Sequence, residues 1–131
     1  MCLNFNLLFS VDSTFTLSNL FFIVPVLSSA AKIPLPEEII FKAIVTCIRH
    51  LGPEKARRAA LCAAETVGNW VVGFGMAGDE KIGRQKDYLY SFHLAREAKL
   101  HLTTHAGEWC GAESVRDAIE HLEVERIKHW I

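Results

Sequence analysis

From Lys42 onward the hydrophobic and polar positions alternate between two patterns. Lys42 to Arg49 (KAIVTCIR) is a short apolar run rich in β-branched side chains, which suits a buried strand. The longer run from Glu37 also fits an amphipathic helix, and periodicity does not separate the two. Gly52-Pro53 opens a helix: proline suits the first helical position, and Glu54 favours the positive end of the helix dipole. Ala56, Ala59, Ala60, Ala63 and Val67 give that helix one small apolar face, and Gly68 supplies its stop. Trp70 to Met76 (WVVGFGM) reads as a second buried strand, followed by a polar loop from Asp79 to Gln85. A second helix from about Asp87 to Lys99 turns Tyr88, Phe92 and Ala95 to one side, and Leu100 to His105 is a third strand. Ser114 with Asp117 three places later resembles a capping box at the start of a helix through Leu122. Arg126 to Trp130 begins a fourth strand. Strand and helix alternating at this spacing predict parallel βα units, hence an α/β fold, while leaving open whether the sheet is flat or closed.

The first third of the chain departs from this pattern. Between Met1 and Ala31 the only charged side chain is Asp12, and Leu20 to Leu27 is almost wholly apolar. That run resembles a signal-peptide core, but no Lys or Arg precedes it, Pro25 interrupts it, and it is well short of the ~20 residues a membrane span needs. The chain therefore divides into an apolar leader of unclear role, residues 1–33, and a βα segment, residues 34–131. A cytoplasmic location is expected, with secretion through the leader as the alternative. The 131 residues suffice for one domain with its own core. Fourteen Lys and Arg against fifteen Asp and Glu leave a net charge of -1, which argues against nucleic acid as a partner. Cys2, Cys47, Cys62 and Cys110 form no C-x-x-C pair and read as free thiols.

Two stretches offer chemistry. Gly73-Phe74-Gly75-Met76-Ala77-Gly78 matches G-x-G-x-x-G, but Asp79 and Glu80 follow at once where phosphates would lie, and no apolar helix face begins there. A dinucleotide site is rejected. In Thr104 to Gly111 (THAGEWCG), strand alternation puts His101, Thr103 and His105 on one face, with His105 at the carboxyl end, where parallel sheets carry their sites. Gly107 permits a sharp turn, after which Glu108 can point back over the same mouth. An imidazole can ligate a metal, and a shielded carboxylic acid can donate a proton. Cys110 beside His105 lacks an orienting third group, and neither H-E-x-x-H nor P-C-x-x-C occurs. His129 closes the next strand, while His50, His93, His101 and His121 share no such placement.

Taken in order, VVGFGMAGDE, LTTHAGE, ESVRDAIEHL and ERIKH resemble the middle of the adenosine deaminase family, over roughly Lys42 to His129. The resemblance implies a partial (β/α)8 TIM barrel of about four βα units, matching the third to sixth of eight strands. It implies zinc-dependent hydrolytic deamination of adenosine to inosine, with adenine or another aminopurine as the alternative substrate. By the same resemblance His105 is a zinc ligand, Glu108 protonates the purine ring nitrogen, His129 orients or deprotonates the attacking water, and Gly78 gives a backbone contact to the ring. The family usually has aspartate where Gly75 stands, and glycines where Lys128 and Trp130 flank His129. Its early H-x-H pair and late aspartate are not in this sequence, so the zinc site is expected to be incomplete. Since a whole barrel takes ~250 residues, the expectation is a truncated chain inactive alone, its open sheet edges prone to self-association. A non-catalytic associating fragment is the second reading.

Overall fold

Four parallel strands pair in chain order to build one sheet in the computed structural model, which describes residues 42–68 and 70–128. The leader reading for residues 1–33 and the role given to His129 lie outside the described residues. The strands are β1 (Ala43–Ile48), β2 (Val71–Ala77), β3 (His101–His105) and β4 (Arg126–Lys128). Between them run α1 (Pro53–Glu65), α2 (Leu89–Glu97) and α3 (Gly111–Asp117), the last prolonged by a π-helical turn, Ala118–Leu122. Short 3-10 turns at Arg49–Leu51 and Gln85–Tyr88 complete the units. The α/β class follows directly from this topology, and four parallel βα units paired in chain order are consistent with the partial barrel expected from the sequence. No helix among the described residues is long and apolar enough to cross a membrane.

Register fixes the faces. Pairing of Cys47 with Met76, Phe74 with Leu102 and Met76 with Thr104 puts these side chains toward the helices. There Ala56, Ala59, Ala60 and Ala63 of α1 and Phe92 and Ala95 of α2 complete the core. The alanine face lets α1 approach closely, and Phe74 meets Phe92 edge-on at 5.2 Å. The opposite sheet face carries Thr46, Gly73, Gly75, Thr103 and His105, which are small or polar. Gly75 has a steric reason: a Cβ there would stand 2.9 Å from Cγ2 of Thr103 and 3.3 Å from its carbonyl oxygen. Gly75→Ala is therefore expected to cost about 1–3 kcal/mol through overpacking. Thr103→Ser, which deletes the offending methyl, should recover part of that loss in a denaturation double-mutant cycle. Simple additivity of the two changes would show that the contact is not what excludes a side chain.

Two local expectations need correction. α1 stops at Glu65 rather than Gly68, because the Thr66 hydroxyl donates to the Cys62 carbonyl at 2.8 Å; Val67 then lies 45% exposed, off the apolar face. The third helix starts at Gly111 rather than Ser114, with no side-chain cap. Both presumed capping residues are engaged elsewhere: Ser114 donates to the Glu80 carboxylate, and Asp117 accepts from the backbone N–H of Gln85 at 3.0 Å.

Candidate functional site

Because the strands are parallel, the exits of β1, β2 and β3 share one edge of the sheet. Arg49 leaves β1 and is only 2% exposed despite its charge. Its Nη1 donates to the Glu80 carbonyl at 3.2 Å and its Nη2 to the His105 carbonyl at 3.1 Å, so one guanidinium ties all three exits. The Tyr88 hydroxyl donates to the Arg49 carbonyl at 2.6 Å and fixes the base of that tie. Burial pushes the guanidinium pKa down, and the negative charge of Glu80 works against that push. Arg49→Met keeps the stem but strips the Glu80 carbonyl of its guanidinium donor and leaves the His105 carbonyl with Gln85 alone, and should destabilise by about 1–3 kcal/mol in urea unfolding. An unchanged midpoint would mean that the bridge contributes nothing.

Glu80 leaves β2 and is equally hidden, at 4% exposure. Its carboxylate accepts from the backbone N–H groups of Gly107 at 2.7 Å, Trp109 at 2.6 Å and Cys110 at 3.0 Å, and from the Ser114 hydroxyl. Burial raises its pKa, but the bonds from Ser114 and the three amides outweigh burial and hold the carboxyl below its ordinary range. Gln85, 1% exposed, donates from Nε2 to the His105 carbonyl at 3.1 Å and accepts from the Thr104 hydroxyl at 3.3 Å. The end of β3 is thus held from three sides.

On this frame His105 and Glu108 come together. Nδ1 of His105 stands 4.0 Å from Oε2 of Glu108, with the two side chains 22% and 40% exposed. That separation is an electrostatic contact rather than a hydrogen bond. Gly107 between them takes φ +87°, the left-handed turn expected of it. Gly78 lies exposed at the β2 exit with φ +102°, where a Cβ would meet Nδ1 of His50 at 3.1 Å and the Arg49 nitrogen at 3.2 Å. Only glycine fits there. Lys128 pairs in register with His105 on β4, and burial, aided by the charge of Arg126, pushes its pKa down. Beside Glu108, the exposed Trp109 ring carries the Lys81 ammonium 5.2 Å from its centroid.

Among the described residues no group of three or more His, Cys, Asp or Glu side chains could hold a metal ion. His105 is one imidazole, and zinc takes three protein ligands in catalytic sites and four in structural ones. The described residues alone therefore do not fit the metal. An open cavity of about 240 Å³ lies at the same end of the sheet, lined by Arg49, Glu80, Gln85 and Ser114 among others, but by neither His105 nor Glu108. Elsewhere, His101 pairs with Glu125 at 2.7 Å on the exposed surface, and His121 with Asp117 at 2.9 Å. Sequence reasoning missed Arg49, Glu80 and Gln85, placing two of them in a plain polar loop. One signal was available: charged residues directly after two successive strands, at the end where parallel sheets act.

Comparison with known proteins gives this geometry a context. The family model for adenosine deaminase matches residues 25–131. An adenine deaminase of Chelativorans sp. is 49% identical over 90 residues, which is 69% of this chain and 28% of that protein. The crystal structure of an adenine deaminase from Arthrobacter aurescens superposes with a TM-score of 0.65 at 25% identity, over 71% of this chain and 28% of that one. A zinc-bound amidohydrolase from Burkholderia ambifaria superposes at 0.69 with 20% identity, over 86% of this chain and 30% of that one. The chain thus spans little more than a quarter of the length of the curated relative.

Proposed function

The chain belongs to the adenosine deaminase family, and from that premise we propose that it forms one wall of a hydrolytic aminopurine deaminase site. The observation that carries this reading is the His105–Glu108 pair, 4.0 Å apart at the carboxyl end of β3. Adenine is the first substrate to test, because the relatives at 43% to 49% identity are named adenine deaminases. Adenosine is the second, supported by the description of the matching family.

In the reaction, water adds at C6 of the purine, the C6–N bond breaks, a C6 carbonyl forms and ammonia leaves. Glu108 gives a proton to the adjacent ring nitrogen, which withdraws electrons from C6 and makes it the better electrophile. Gly78 offers backbone rather than side chain to the ring edge, and His129 is assigned the orientation of the attacking water. His105 is assigned one place in a metal's donor set, as zinc binding by the Burkholderia relative suggests. One ligand is no site, so no step is assigned to a metal here.

The test is a segment swap. The 90 matched residues replace their counterpart in the Chelativorans adenine deaminase, and loss of purine absorbance is followed with adenine and with adenosine. Turnover of either substrate supports the reading, and their ratio decides between them. A folded, zinc-loaded swap without turnover of either overturns it.

A further inference from the structure

We propose that Glu80 is the positioning residue of this site: its carboxylate wraps the 107–110 loop around itself and so sets where Glu108 stands beside His105. The two oxygens divide four donors evenly. One accepts from the Gly107 N–H and the Ser114 hydroxyl, the other from the N–H groups of Trp109 and Cys110. A carboxylate is the side chain for this task, because it is acceptor-only with about four lone-pair positions. Glu108 is flanked by two of the anchored residues, so its backbone is pinned on both sides while its side chain stays free to reach His105. Ser114 extends the hold into α3, and Arg49 holds the Glu80 carbonyl from behind. Burying a carboxylate to 4% exposure is costly unless it is fully bonded, and here it is. Asp117, an acid lining the same cavity, instead serves Gln85 and His121.

The inference rests on the deaminase reading only for what Glu108 does once placed; the grip on the loop does not depend on it. The test is amide hydrogen exchange by NMR on the full 131-residue chain. In Glu80→Gln the new NH2 must replace one oxygen. On the Trp109–Cys110 side it would face two N–H donors; on the Gly107 side it would face one, with a Ser114 hydroxyl able to turn and accept. The Gln amide is therefore expected to put its nitrogen toward Gly107. Exchange at Gly107 should quicken roughly tenfold, the equivalent of one lost hydrogen bond, with Trp109, Cys110 and the β2 and β3 amides nearly unchanged. Glu80→Asp keeps the charge and the carbonyl that Arg49 uses but falls short of the loop. All three loop amides should then lose protection, and the nuclear Overhauser contact between the His105 ring and the Glu108 side chain should disappear.

Unchanged exchange at all three loop amides in both variants overturns the proposal. So does an equal loss in loop and strands, which marks Glu80 as a general stabiliser. The deaminase reading fails separately, in the segment swap: a lack of turnover there with normal loop protection here removes the role of Glu108, not the grip of Glu80.

Discussion

Glu108→Gln, made in the segment swap, is expected to lower kcat on its purine about 100- to 10,000-fold with KM almost unchanged. The amide keeps the shape and the hydrogen-bonding reach of the acid but has no proton to yield to the ring nitrogen, so binding survives and the reaction step does not. Folding should survive as well. The bonds that close the loop come from Gly107, Trp109, Cys110 and Ser114 to Glu80, and none uses the Glu108 side chain. A kcat within a few-fold of the parent would remove Glu108 as the proton donor. A large rise in KM at constant kcat would recast it as a binding group.

Phe74→Ala should be the most damaging change to the fold, costing about 3–5 kcal/mol out of the 5–15 kcal/mol typical of a whole domain. Phe74 has no exposed surface, stands edge-on to Phe92 and sits in the core with Met76 and Leu102. The main-chain sheet bonds around it leave little room for collapse into the space a phenyl ring vacates. Leucine retains much of the volume, so Phe74→Leu should cost clearly less. Chemical denaturation followed by circular dichroism checks both. A loss under about 1 kcal/mol for Phe74→Ala would show that the sheet and helices can close over the gap. The damage should reach the site, because β2 carries Gly78 and Glu80 at its end.

How much of this was legible beforehand depended on the kind of interaction. Strand and helix order could be read, since β-branched runs, Pro53 and the alanine spacing act locally and agree with what the tertiary structure rewards. The meeting of His105 with Glu108 was legible too, because two-residue alternation fixes the face of His105 and Gly107 fixes the turn. Ser114 and Asp117 misled for a physical reason: hydroxyls and carboxylates that can cap their own helix can equally serve a distant partner, and here they face Glu80 and Gln85. Arg49, Glu80 and Gln85 were hidden because a polar or charged residue at a strand end or in a loop looks solvated until its partners are known. Only packing three strand exits side by side reveals that Glu80, in a stretch of Asp, Lys, Gly and Arg, is nearly inaccessible to water.

Trp109 follows Glu108 directly, bonds through its backbone to Glu80 and lays its indole beneath the Lys81 ammonium. Indole emission responds to a nearby positive charge and to wetting. The chain therefore carries an intrinsic fluorophore next to its candidate proton donor, and once Trp70 and Trp130 are replaced by phenylalanine, release of the loop is readable as a change in emission without any attached dye.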